Sequence, residues 1–270
     1  MRFALNHMTT ARKCFADFLA IASELGCDGV ELRNDLSQPL FSGLDAERAK
    51  ELAARHNLTI FAIAEVKNFN IPASLNIDTL DELIKQASNS GAKAVSLIPG
   101  NNGEFPHDDA AKDALATALQ TLKPRLDSAG LQGLIEPLGF ASSTIRLKST
   151  VVELLDGIGG NDTFKLIHDT FHHTLASEST VYPDHTAIVH VSGVTDTAIG
   201  IAEMLDSHRV LVDASDRLGN IQQLSQLMSA GYTGPVSFEA FASEIHTLDK
   251  PTQELANSMA FIRSSLKTNV

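Results

Sequence analysis

Four side chains along this chain could share one ion: Glu136, Asp169, His190 and Glu239. Each lies at or within a residue or two of the C-terminal end of a short apolar run: Leu134-Ile135-Glu136, Leu166-Ile167-His168-Asp169, Ile188-Val189-His190 and Val236-Ser237-Phe238-Glu239. Three carboxylates and an imidazole form a hard-to-borderline donor set suited to Mn²⁺, Co²⁺, Zn²⁺ or Mg²⁺. A single acid at a strand end is as well explained by a salt bridge, but four ligand-type residues on four separate runs form a specific signal. Pro137 follows Glu136, and a proline cannot donate to a strand ladder, so the run should stop there and present the acid at a rim. Glu239 is bracketed by Phe238, Ala240 and Phe241, where a carboxylate is rarely buried without a counter-charge or metal.

Asp169 opens the cluster His168-Asp169-Thr170-Phe171-His172-His173. Alternation along a strand sends His168 to the face opposite Asp169, while His172, three residues on, can return to the same pocket. His168 and His173 are expected as surface histidines. His185 and His190 mark opposite ends of one run, so His185 belongs at the far rim, away from the chemistry.

These residues need a frame that brings strand ends together. Strand-like runs are expected at 2–6, 28–32, 58–64, 93–98, 131–136, 163–169, 185–191 and 235–239, alternating with helical stretches at 12–25, 44–56, 76–90, 108–129, 146–156, 221–230 and 250–266. Asp108-Asp109 places negative charge at a helix start, and Gly91, Gly130 and Gly231 follow helices in the position that ends them. Eight strand–helix units predict one α/β domain over 1–270, a single (β/α)8 TIM barrel, in which strand exits carry chemistry and the opposite rim carries stability. A doubly wound open sheet is the runner-up, but no GxGxxG follows the first strand. After His190 the chain runs to Asn220 with only a short helix expected near 198–206. A connection that long over the barrel mouth predicts a lid or a substrate-contacting loop.

Composition agrees with this frame. The chain has 270 residues, close to the ~250 of a barrel of this kind. With 43% hydrophobic residues it can bury a sizeable core. A net charge of −12 and the lack of a Lys/Arg run oppose a phosphate backbone as partner. Cys14 and Cys27 show no CxxC pairing and are expected as buried thiols in or beside the first helix. The N-terminal segment reads as a strand rather than a signal peptide, and no run approaches the ~20 apolar residues of a membrane span. A cytoplasmic protein is expected. No GxxxxGK[ST], CxxC…CxxC or GxSxG motif occurs.

The order Glu–Asp-x-x-His–His–Glu resembles the xylose isomerase-like TIM-barrel superfamily, which includes sugar epimerases, hydroxypyruvate isomerase, endonuclease IV and inosose isomerase. Within it, the chain is most similar to the bacterial inosose (2-keto-myo-inositol) isomerases of inositol catabolism. The matching stretches are Asn6-His7-Met8-Thr9-Thr10, Glu31-Leu32-Arg33-Asn34-Asp35, Ala64-Glu65-Val66-Lys67, Glu136-Pro137-Leu138-Gly139-Phe140, His168 to His173, Val189-His190-Val191-Ser192-Gly193 and Ser237-Phe238-Glu239-Ala240-Phe241. The resemblance implies one divalent metal, manganese among the candidates, on Glu136, Asp169, His190 and Glu239. It also implies proton exchange by the two glutamates and substrate contact by His172. The chain departs from many relatives in two places. It has His190-Val191-Ser192-Gly193 where they have His-x-x-Asp, and Arg209 to Gly219 where they have Arg-x-x-Pro-Gly-x-Gly.

The chemistry also follows from the residue types. Moving a carbonyl to the neighbouring carbon requires removal of a weakly acidic C–H proton, which a polarising cation and two flanking carboxylates can accomplish. Glu136 and Glu239 take the proton-transfer roles; His172, Arg209 and Lys67 hold substrate hydroxyls, with Asn6, Glu31 and Arg33 as weaker pocket candidates. The expected substrate is a cyclic polyol ketone. The alternatives are an isomerase or epimerase of open-chain ketoses, an endonuclease IV-like DNA repair hydrolase, and a noncatalytic sugar sensor. No nucleic acid or membrane partner is expected, and a homo-oligomer is left open.

Overall fold

Eight parallel strands close into a barrel in sequence order in the computed structural model, which describes residues 1–103 and 109–268. They are β1 (Arg2–Asn6), β2 (Gly29–Arg33), β3 (Thr59–Lys67), β4 (Ala94–Ile98), β5 (Gln132–Ile135), β6 (Phe164–Asp169), β7 (Thr186–Val191) and β8 (Pro235–Phe238). Closure comes from β8 pairing with β1, with Phe3 opposite Val236. Around them lie α1 (Phe15–Glu24), α2 (Ala46–Arg55), α3 (Ile77–Ser90), α4 (Asp109–Ala129), α5 (Lys148–Ile158), α6 (Thr170–Ala176), α7 (Asn220–Ser229), α8 (Ser243–His246) and α9 (Pro251–Thr268). The expected (β/α)8 TIM barrel is the observed fold. Asp108, expected to charge the start of α4, lies outside the described residues.

Local chemistry sets several boundaries. Asp45 and Asn76 cap α2 and α3 by accepting from the backbone N–H of Arg48 and Thr79. Gly91 ends α3 at φ 72°, a left-handed conformation that side chains with a Cβ resist. Pro137 stops β5 one residue before Glu136.

Strand alternation sorts the side chains into two layers. Val95, Leu97, Ile135, Leu166, Val189, Val191, Val236 and Phe238 join the large core beneath the helices. Ala62, Ala94, Leu134, Ile167 and Ile188 form a separate apolar cluster inside the barrel. Two residues beyond Leu134, Ile167 and Ile188, on the same face, stand Glu136, Asp169 and His190. The barrel plug and the candidate ligands therefore belong to one alternation pattern, and a one-residue register slip would turn both outward.

Four local expectations need correction. The segment after β7 holds two short 3₁₀ turns, Ile201–Glu203 and Asp206–His208, rather than one helix. The short α6 was not expected, because seven His- and Thr-rich residues show no amphipathic period. Cys14 is exposed at the start of α1; Cys27 is buried, and burial pushes its thiol up to about 12. His168 and His173 are buried, not surface residues. His168 Nε2 lies 2.9 Å from Gln223 Oε1 on α7, and Lys148 on α5 donates to His173 Nδ1 at 2.7 Å. Burial lowers His173 to about 4, so its neutral ring accepts that bond.

At Gly29, a Cβ would come within 2.2 Å of the Thr59 carbonyl oxygen and 2.6 Å of the Phe61 ring. Gly29→Ala should therefore destabilise the protein by about 1–3 kcal/mol. The measurement is the midpoint of urea unfolding; an unchanged midpoint would contradict this packing.

Candidate metal centre

The four strand-exit residues converge. One ligand atom from each of Glu136, Asp169, His190 and Glu239 lies within 4.8 Å of the others, and all four residues are buried. Among the described residues this is the only cluster of three or more His, Cys, Asp or Glu side chains placed to share an ion. The backbone fixes each position. Glu136 and Glu239, one residue past their strands, still donate N–H to Leu97 and Val191 carbonyls, at 3.2 and 3.0 Å. Asp169 pairs with His190 across the β6–β7 ladder. Asp169 also caps α6: its Oδ1 accepts from Phe171 N and His172 N at 2.7 and 3.0 Å, which leaves Oδ2 facing the cluster.

His190 sits at the focus. Its Nδ1 lies 3.1 Å from Glu239 Oε2, 3.4 Å from Glu136 Oε1 and 3.8 Å from Asp169 Oδ2. These distances permit ion pairing, yet neither His190 Nδ1 nor Glu136 Oε1 meets hydrogen-bond geometry with any partner, and both atoms are buried. Groups aimed at a common point rather than at one another are the arrangement a cation would satisfy. Charge balance points the same way. The buried groups here include four carboxylates, Glu31, Glu136, Asp169 and Glu239, against two guanidiniums, Arg33 and Arg209. One divalent ion with a neutral His190 would close that deficit.

Without an ion, protons respond to the field. Burial and the Glu239 charge raise the Glu136 carboxyl to about 7. Burial opposes a charged His190, but Glu239, Glu31 and Glu136 outweigh it and hold the ring well above its ordinary value. Burial likewise opposes the Glu239 anion, but His190, Arg209 and Arg33 keep it well below the usual carboxylate range.

Glu136 and Glu239 of the cluster face a cavity of about 390 Å³ at the barrel mouth, also lined by Arg33, Glu65, Lys67, Leu138, Phe140, His172, Asp206, Arg209 and Phe241. His172 is buried, with Nδ1 unpartnered. Lys67 ends β3 with its side chain 73% exposed and Nζ 3.8 Å from Glu65 Oε1, which puts it at the rim. Arg209, only 1% exposed, lies between the Phe171 and Phe241 rings at 5.0 and 4.6 Å. Its Nη2 donates to Asp169 Oδ2 at 2.5 Å and Glu239 Oε2 at 3.0 Å, its Nη1 to Asp206 and its Nε to Ser192. Four of its five N–H groups therefore serve the protein. The segment carrying Arg209 is pinned by an antiparallel bridge between Gly193 and Val210. At Gly193 a Cβ would meet the Leu211 carbonyl at 2.9 Å.

Three residues weighted lightly in the sequence prove central to this geometry. Arg33 donates to Glu239 Oε1 at 2.9 Å and pairs with both oxygens of Asp35, Asn6 donates to Glu239 Oε1 at 3.1 Å, and Glu31 accepts from His190. The available signal was that Glu31 and Arg33 stand two residues apart, on one face, at the exit of the second expected strand. Asp206 and Glu65 carried no comparable signal. A larger groove between α1 and α9, about 990 Å³, lies apart from all these groups.

The chain belongs to the xylose isomerase-like TIM barrel family, whose profile matches residues 19–265. It is similar to a xylose isomerase domain containing protein from Salmonella typhimurium LT2, at 28% identity and TM-score 0.89 over 98% of this chain and 97% of the other. It shares the fold of the IOLI protein solved with a binding zinc atom, at 18% identity, TM-score 0.79 and 99% of each chain. L-ribulose 3-epimerase also shares it, at 18% identity, TM-score 0.74, 99% of this chain and 95% of that one. Comparison with curated proteins finds no significant match. A barrel of this family with a buried carboxylate–histidine cluster suits a divalent metal.

The pKa directions predict how the metal-free protein responds to pH. The folded state binds protons at Glu136 and His190 more tightly than the unfolded chain does, so the stability these two groups contribute is lost as pH rises from about 4.5, the ordinary Glu value, through 7 and beyond. The buried His7, His168, His172 and His173, held below their ordinary value, act in the opposite sense. In thermal melts in chelator, the Tm of wild type relative to Glu136→Gln should fall between pH 6 and pH 8.5. A wild-type advantage over Glu136→Gln that grew with pH would contradict the direction assigned to Glu136.

Proposed function

We propose that the protein is a divalent-metal-dependent isomerase that moves a carbonyl between adjacent carbons of a neutral cyclic polyol ketone of the 2-keto-myo-inositol type. Glu136, Asp169, His190 and Glu239 hold the ion, and Glu136 and Glu239 exchange protons with substrate. The observation that carries the reading is the buried, inward-aimed pair of unpartnered atoms, His190 Nδ1 and Glu136 Oε1, among carboxylates that outnumber the guanidiniums.

A divalent ion held there supplies polarisation of the substrate carbonyl and offsets the negative charge that develops on its oxygen. The residues do the rest. One glutamate removes the proton from the carbinol carbon next to the carbonyl, and the C–H electron pair becomes the double bond of an enediolate. A proton is returned to the former carbonyl carbon, while the hydroxyl proton passes to the former carbonyl oxygen, so no atom is gained or lost. His172 and the remaining N–H of Arg209 orient hydroxyls inside the cavity, Lys67 does so at the rim, and Phe140 and Phe241 limit water.

Charge supports a neutral substrate. Arg33 and Arg209 are committed to carboxylates, so a phosphate would enter an acidic pocket whose remaining lining cation, Lys67, lies at the rim beside Glu65. The cyclic ketone is favoured by the motif resemblance; the fold shared with L-ribulose 3-epimerase keeps open-chain ketoses as the second reading. The net charge of −12 weighs against DNA.

Purified protein should carry about one divalent ion per chain, and chelation should abolish turnover that Mn²⁺ or Co²⁺ restores. Full activity in verified metal-free protein would remove the reading. At saturating metal, Glu136→Gln and Glu239→Gln should each lower kcat by about 10²–10⁴-fold, whereas loss of Asp169 or His190 should act mainly on metal occupancy. Side-by-side kinetics on inososes, ketoses and sugar phosphates should favour an inosose; preference for a phosphorylated sugar would overturn the substrate assignment alone.

A further inference from the structure

The structure assigns Glu31 as the residue that positions His190 for the ion: it fixes the ring so that Nδ1, not Nε2, is the ligand atom. The inference rests on the metal reading above and extends it to a residue outside the four-ligand cluster.

Glu31 lies in the middle of β2 and is 1% exposed. Both of its oxygens face one atom, His190 Nε2, at 3.1 and 3.0 Å. A carboxylate accepts, so Nε2 is the proton-bearing nitrogen in this pair. In a neutral imidazole the lone pair is then on Nδ1, the atom that faces Glu239, Glu136 and Asp169 and has no hydrogen-bond partner. The two strands reach this contact across the barrel, between residues 159 positions apart in sequence. Neighbours do not duplicate the role. Arg33 and Asn6 act on Glu239, while Arg209 acts on Asp169 and Glu239.

Two physical effects follow. Holding Nε2–H prevents the ring from flipping or changing tautomer, either of which would remove the lone pair from the cluster. The adjacent anion also makes Nδ1 a better donor to a cation. A general effect of negative charge would depend only on Glu31 being anionic. A positioning effect depends on a hydrogen-bond acceptor at that place, so the two can be separated.

The test is Zn²⁺ titration against a competing chelator for wild type, Glu31→Gln and Glu31→Met, with circular dichroism confirming each fold. Loss of an outer carboxylate of this kind lowers metal affinity by about 10- to 100-fold. Glu31→Gln, which still accepts from Nε2–H, should fall near the lower end, and Glu31→Met near the upper. Equal losses would assign the effect to bulk charge and overturn the proposal, as would no loss in either variant. If Glu31→Met does not fold, ¹⁵N NMR of His190 in the zinc-loaded wild type decides: a proton on Nε2 with Nδ1 ligating supports the assignment, and the reverse overturns it. A wild-type protein that bound no divalent ion would fail the metal reading itself, an outcome distinct from either.

Discussion

Negative charge buried at the barrel mouth is the constraint that organises this molecule. Glu31, Glu136, Asp169 and Glu239 are each 5% exposed or less, and removing a carboxylate from water is costly unless it is paired and hydrogen-bonded. Arg33 alternates with Glu31 on β2 and reaches Glu239, while its other side is clamped by Asp35. Arg209 arrives from the long connection after β7, held between two phenylalanine rings and backed by Ser192. That connection is fastened by the Gly193–Val210 bridge and by Arg217, which donates to the carbonyls of Asp196 and Ile199. It delivers a guanidinium to the carboxylates, and its residues Asp206 and Arg209 line the cavity.

The apolar plug beneath the carboxylates strengthens their mutual influence. Ala62, Ala94, Leu134, Ile167 and Ile188 fill the barrel interior. A low-dielectric floor reduces screening, so Coulomb effects among the groups above it grow. The opposite shifts of two glutamates in one site express this. Glu239, contacted by two guanidiniums, is held anionic, while Glu136, with one oxygen unpartnered, is pushed up to about 7. Chemically identical side chains acquire different properties through the strands from which their neighbours come.

The parts legible in the sequence were those encoded locally. Strand positions followed from short apolar runs, and Glu136, Asp169, His190 and Glu239 were visible because each closes such a run. The parts that failed depended on distant partners. His168 and His173 were read as surface histidines because Gln223, Lys148 and Glu178, which sustain a buried polar network beside them, lie on other elements. Glu31 and Arg33 were underweighted for the same reason: their partners, His190 and Glu239, lie across the barrel. The α6 helix lacks an amphipathic period, and Asp169, which caps it through Oδ1 while Oδ2 faces the cluster, is the one local sign of its start.

Arg209 resembles a replacement for the ion, since its Nη2 donates to Asp169 Oδ2 and Glu239 Oε2. The charge count argues otherwise. With Arg209 and Arg33 both included, the four buried carboxylates still exceed the guanidiniums by two charges, the charge of one divalent ion. Arg209 is also confined by Phe171, Phe241, Ser192 and Asp206, so its cation is a fixed part of the wall. Together, fixed guanidiniums and a bound divalent ion would bring the inner site close to neutrality. A neutral polyol can then enter without its own counter-charge, whereas a phosphate would have to compete with carboxylates that the arginines already hold.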